Sequence, residues 1–162
     1  MTTTAQEVQT TQVYQVFIKA TPEQVWAGIT QAEYIDRYYH GCRLQAPLEA
    51  GGRWVGRSPD LARLWIDSEI LEFDPPRRLS HGWRALYDDE LALEGESRVT
   101  WEIEPQDDGT CLLIVVHDRL ENAPKTAAGV SGAGWMHVLS GLKTLLETGT
   151  PLFEYSTRED AE

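Results

Sequence analysis

From Val13 to Lys19 the chain reads VYQVFIK, a β-branched and aromatic run that stops at a helix signal, and it predicts a first strand. Thr21-Pro22-Glu23-Gln24 comes next, with a capping hydroxyl before proline and an amide three residues past the cap. Such a pair satisfies two orphan backbone donors reciprocally, so a short helix is expected from Pro22 to about Gly28. Thr30-Gln31-Ala32-Glu33 repeats the pattern and predicts a second capping box, opening a second short helix that carries Tyr34, Ile35 and Tyr38.

Between Gly41 and Asp118, turn signals recur at Gly51-Gly52, Pro75-Pro76, Asp88-Asp89 and Asp107-Asp108-Gly109. They bound the proline-free runs RLWIDSEILEF, RRLSHGWR, ESRVTWEIE and TCLLIVVH. Turns this short join antiparallel neighbours, which gives a meander of roughly six strands, with Asp74-Pro75-Pro76 as a rigid hairpin turn. Val99, Trp101 and Ile103 alternate with polar neighbours, and Leu79, His81 and Trp83 share a parity. Leu113, Val115 and His117 do so less cleanly, because their run is apolar on both faces. The run from Arg63 to Phe73 leaves two readings open: Asp67 and Glu69 point inward, or a bulge reverses the alternation and leaves both acids in water.

The last element, starting at Ala127 or Ser131 and ending at Thr148, sets Trp135, Val138, Leu139, Leu142, Leu145 and Leu146 at helical spacing, and Gly149 and Pro151 close it. One long amphipathic helix against one face of a long antiparallel sheet is a two-layer α+β arrangement. A twisted sheet that curls round such a helix leaves space wherever side chains do not fill it. The expected domain covers residues 13–152, with 1–12 and 153–162 as flexible tails.

With 162 residues, 41% hydrophobic and 25% charged, the chain matches one soluble domain with its own core. Fourteen basic against 26 acidic residues give a net charge of −12, which argues against nucleic acid or an anionic membrane as partner. The first twelve residues show no leader pattern and no run is long enough to span a bilayer, so a cytoplasmic location is expected. Cys42 and Cys111 have no CxxC or Cys/His spacing, and both are expected to be reduced, Cys111 buried.

Six tryptophans and six tyrosines carry the candidate chemistry. Trp54, Trp65, Trp83, Trp101 and Trp135 fall on predicted strands or on the last helix, where they either fill the core or wall a cavity. Trp26 is assigned to the core. Tyr34, Tyr38 and Tyr39 form a candidate lip. His81 and His117 share parity with apolar residues, and each is either a ligand or acid–base group or a core histidine satisfied by its neighbours. His40, in a turn, and His137, off the leucine stripe, are expected to be solvated, as are the Arg53/Arg57 and Arg77/Arg78 pairs. No third ligand completes a metal site, and no phosphate cradle or nucleophile elbow is present.

Three strings are distinctive together: YQVFIKATPEQVW at Tyr14–Trp26, ILEFDPPRRL at Ile70–Leu79 and WMHVLSGLKTLLETGTP at Trp135–Pro151. In order, over nearly all of Tyr14–Leu152, they resemble the branch of the START and Bet v 1-like (SRPBCC) superfamily named after the activator of the heat-shock chaperone (Hsp90) ATPase. The resemblance implies the helix-grip fold, a seven-stranded sheet gripping the C-terminal helix over a cavity. It is compatible with homodimerisation. Members of the wider superfamily bind lipids, sterols, flavonoids or polyketides, and some catalyse cyclisation or dehydration.

The expected function is binding of a small hydrophobic ligand, with Tyr34, Tyr38, Trp54, Trp65, His81, Trp83, Trp101, His117, Trp135, Met136 and Leu139 as the candidate site. No catalytic residue, metal or cofactor is expected. The alternatives are a cavity enzyme using His81, His117 or Glu69 as acid or base, and a chaperone ATPase-activating interaction domain.

Overall fold

The opening run forms strand β1 (Gln12–Ile18), which turns Tyr14, Val16 and Ile18 toward the core and leaves Val13 and Phe17 exposed. In the computed structural model the described residues are 10–45, 47–131 and 133–154. The expected tail segments 1–9 and 155–162 lie outside them. Thr10 accepts a backbone hydrogen bond from Leu120, and Phe153 stacks on His137 at 3.8 Å.

Helix α1 (Pro22–Thr30) opens with the expected capping box, Gln24 N to Thr21 Oγ1 at 3.1 Å and Thr21 N to Gln24 Oε1 at 2.8 Å. The second box does not form. Helix α1 continues through Thr30, whose hydroxyl donates back to the Trp26 carbonyl at 2.7 Å, so Thr30 ends the first helix and the N-cap position of the next falls on Gln31. Helix α2 (Ala32–Tyr38) instead begins after Gln31, with no side-chain cap.

Six further strands complete the sheet: β2 (Arg43–Leu44), β3 (Arg53–Arg57), β4 (Leu64–Asp74), β5 (Arg78–Trp83), β6 (Ser97–Pro105) and β7 (Cys111–Asp118). A short helix α3 (Asp89–Ala92) interrupts the connection from β5 to β6. The sheet has seven strands in the order β1-β7-β6-β5-β4-β3-β2, every neighbouring pair antiparallel. It is therefore a meander whose first strand returns beside its last.

Two irregularities in β4 settle the ambiguity of that run. Pairing with β5 shifts between Ile70 and Glu72, so Ile66, Ser68 and Ile70 are buried on one alternation and Phe73 rejoins the core on the other. Both acids consequently face water: Asp67 pairs with Arg53 at 2.6 Å and Glu69 is exposed. Pairing with β3 shifts where Gly56 meets Ile66 and Arg57 meets Leu64, leaving Trp65 as the extra residue. A bulge of this kind re-aims a side chain and bends the strand locally.

The last helix follows the later of the two expected starts, near Ser131, and a separate short helix precedes it. Helix α4 (Pro124–Val130) ends where Ser131 adopts extended backbone, ψ 178°, and helix α5 (Ala133–Thr148) comes after the break. Gly129 and Gly134 flank it, and glycine is a poor helix former. Along α5, Trp135, Val138, Leu139, Leu142 and Leu145 are buried, and Gly149 at φ 80° ends the helix with its N–H on the Leu145 carbonyl. Gly28 lets α1 come close to this stripe, since a Cβ there would stand 2.9 Å from Leu142 Cδ1. The layered α+β helix-grip arrangement is thus the observed fold.

Candidate functional site

Two imidazoles sit wholly inside the core, each held by an indole from a neighbouring element. The Trp101 Nε1–H on β6 donates to His81 Nε2 on β5 at 3.2 Å, so Nδ1 carries the proton and donates to the Gly82 carbonyl at 2.8 Å. In the same way Trp135 on α5 donates to His117 Nδ1 at 3.1 Å. Its Nε2–H then donates to Ser97 Oγ at 2.7 Å, and Ser97 donates onward to the Trp83 carbonyl at 3.1 Å. Burial disfavours the charged form and pushes His81 down to about 4 and His117 to about 3, the nearby His81 adding to the latter. Both rings are neutral at physiological pH and every ring nitrogen is committed.

Beside these pairs lies a cavity of about 530 Å³, within the size range of small-molecule sites. Its walls are Tyr39, Trp65, Trp83, Tyr87 and Trp135, with Ile66, Val130 and Val138 between them. Gly129 and Gly134 contribute surface where α4 gives way to α5. The remaining lining residues are His40, Cys42 and Arg63. No carboxylate is among them.

The lining groups that could ionise are mostly held neutral. Burial raises the Tyr39 phenol well above its ordinary range and pushes the Cys42 thiol up to about 12, and it raises Tyr87 as well. His40 is lowered despite its exposed position, first by loss of hydration and then by the His137 imidazole stacked on it at 4.7 Å. That leaves the Arg63 guanidinium as the permanent charge on the wall.

Of the residues the sequence singles out, Trp65, Trp83 and Trp135 line this cavity. Tyr38, Trp54, His81, Trp101, His117 and Leu139 are buried in the core and are not among the lining residues. The Tyr38 hydroxyl donates to the Gly28 carbonyl at 2.7 Å, joining α2 to α1, and Trp54 stacks on His81 at 5.4 Å. Tyr34 is half-buried at the edge of the core and Met136 is exposed on α5. Trp26 packs edge-on against Phe73 at 5.3 Å. His137 is not freely solvated, since its ring lies against His40 and Phe153.

Sequence reasoning misses Arg63, Tyr87, Val130 and Val138 as wall residues. By spacing Val138 belongs to the core stripe, and it is both buried and on the wall. Arg63 and Tyr87 come from connections whose course no periodicity encodes. Among the described residues, no cluster of three or more His, Cys, Asp and Glu could hold a metal ion, and no helix is long and apolar enough to cross a membrane.

A curled antiparallel sheet closed by a C-terminal helix, with a cavity beneath that helix, defines the helix-grip class. Within it, the chain belongs to the Activator of Hsp90 ATPase homolog 1-like protein family, whose model matches residues 19–147. No functionally curated protein matches the chain. Solved structures that share the fold include DynU16, a protein of the dynemicin biosynthetic locus, at 22% identity and TM-score 0.72, over 88% of this chain and 49% of that one. The chain therefore spans about half of DynU16. Protein MLL2253 of Mesorhizobium loti is 26% identical, TM-score 0.69, over 84% of this chain and 96% of its own. The Aha1 dimer of Colwellia psychrerythraea is 14% identical, TM-score 0.69, over 87% and 98%.

Proposed function

We propose that the protein binds a small, largely aromatic hydrophobic molecule in this cavity and carries or sequesters it without transforming it. The observation that supports this best is the wall itself: five aromatic rings and three branched aliphatic side chains around about 530 Å³. Flat apolar faces in such a space favour a planar guest, at about 25 cal/mol per Å² of apolar surface removed from water.

The catalytic reading finds little support in the same wall. His81 and His117 have no ring nitrogen free to move a proton, Glu69 points into solvent, and the Cys42 thiol is held protonated. An HSP90 activator from Plasmodium falciparum shares the fold at 20% identity, which by itself carries no ATPase activation to this chain.

Native mass spectrometry and tryptophan quenching with flavonoid, anthraquinone and fatty-acid probes test the proposal. At least one planar aromatic probe is expected to bind tighter than about 1 mM, and Val138→Phe, which adds a ring to the wall, is expected to weaken that binding at least tenfold with the protein still folded. Absence of any binding below that concentration would overturn the carrier reading.

A further inference from the structure

The cavity wall contains one permanent charge and a buried hydroxyl whose proton has no acceptor among the described residues. The charge is Arg63. It is the last residue of the loop that joins β3 to β4, and the loop is tied tightly: Ser58 N donates to the Arg63 carbonyl at 2.9 Å, and Arg63 N donates to Ser58 Oγ at 3.0 Å. The Asp60 carboxylate, the acid nearest in sequence, is engaged by the Ser58 hydroxyl at 2.6 Å and by the Ala62 N–H at 2.9 Å. The guanidinium itself donates to the Tyr87 carbonyl at 3.3 Å, which holds it against another wall residue. Among the described residues it has no carboxylate within salt-bridge distance, although Arg43, Arg53, Arg77, Arg78 and Arg98 all do.

The hydroxyl belongs to Tyr39, which is 7% exposed. Its hydroxyl oxygen accepts from the Trp83 indole N–H at 3.4 Å, while among the described residues no acceptor takes its proton. A hydroxyl carries one donor as well as acceptor lone pairs, and in Tyr39 it is the donor that has no use among the described residues. Tyr39 lies on the cavity wall, so the missing acceptor has a place to be.

Resting on the reading of the cavity as an aromatic binding site, we infer that its ligand is a planar aromatic acid: a carboxylate or ionised phenol meets Arg63, and a carbonyl oxygen accepts from Tyr39. In a chain of net charge −12, the long-range field disfavours anions, so a cation on a wall without carboxylates, with only the already hydrogen-bonded Asp60 acting on it from the loop, sets the sign of the guest. A neutral hydrocarbon would satisfy the rings and leave both polar groups unanswered.

Three probes separate the terms: anthraquinone carboxylate, its neutral carboxamide, and anthracene carboxylate, each titrated by tryptophan quenching. The intact protein is expected to prefer the acid to the carboxamide by roughly fivefold, the scale of a partly exposed ion pair. Arg63→Gln, at an exposed position, should abolish that preference, the acid and the carboxamide then binding alike. The anthraquinone acid should also bind several-fold tighter than the anthracene acid, and Tyr39→Phe should remove this second difference with the fold intact by circular dichroism. Equal binding of acid and carboxamide, or a preference that survives Arg63→Gln, overturns the inference and leaves the cavity reading standing. Equal binding of the two acids to the intact protein removes the Tyr39 contact without any substitution. If none of the three binds, both the inference and the cavity reading fall.

Discussion

At the scale of single residues, the core is organised by two indole-to-imidazole hydrogen bonds, Trp101 to His81 and Trp135 to His117. Each solves the problem of burying two polar rings at once, and each works only while the imidazole is neutral and can accept. Protonation would place a second donor opposite the indole N–H. The folded-state values, about 4 for His81 and about 3 for His117, lie below the ordinary histidine value of about 6.5. The unfolded chain therefore binds more protons between those limits. The stabilisation is fully present above about pH 6.5 and is lost as pH falls toward the folded values. Unfolding free energy should drop on acidification from about pH 6.5 to 5, by up to about 1.4 kcal/mol per pH unit for each ring, before most carboxylates titrate. Urea melts across that range check this, and a flat profile would refute it.

At the scale of elements, α4 begins at Pro124 after Ala123, which offers no capping side chain, and the cap comes from elsewhere in the chain. The Glu94 carboxylate accepts from Lys125 N at 2.7 Å, and from Thr126 N at 2.8 Å and its hydroxyl at 2.9 Å. Glu94→Ala should cost about 1 kcal/mol and speed amide hydrogen exchange at Lys125 and Thr126, with β6 and β7 unaffected. This cap is not legible in the sequence, because its donor and acceptor are 31 residues apart. The Thr21 box is legible for the opposite reason, being a contact across three residues. The Thr30 pattern misleads because propensity cannot tell a cap from the last turn of the preceding helix. Strand parity correctly turns His81 and His117 inward, but the indoles that engage them arrive through sheet register and helix packing. The wall shows the same division: aromatic load points to Trp65, Trp83 and Trp135, whereas Arg63 and Tyr87 depend on a hairpin and a connection that only the folded chain defines.

At the scale of the whole molecule, one core joins every major element, with Val25 and Ile29 of α1, Ile35 of α2, Trp54 of β3, Trp101 of β6 and Leu142 of α5 in a single cluster. No subset of strands keeps that cluster without the helix it grips. Thermal or urea unfolding is therefore expected as one cooperative transition, with far-ultraviolet circular dichroism and tryptophan emission coincident at the midpoint. Separated midpoints would show that sheet and helix come apart independently.

The committed indole N–H groups have one more effect. Trp83 and Trp135 spend theirs on Tyr39 and His117, so a visiting molecule meets those rings as plain hydrocarbon. Apart from the Tyr39 hydroxyl, that part of the wall discriminates by shape. Discrimination by charge falls to the periphery, where Arg63 lies in the loop just before β4 and Tyr87 stands between β5 and α3. Those connections can be rewritten residue by residue without disturbing the buried pairs beneath them. Such a molecule divides its labour between a fixed interior and an editable doorway, and guest preference can be regrafted at the doorway while the fold is left alone.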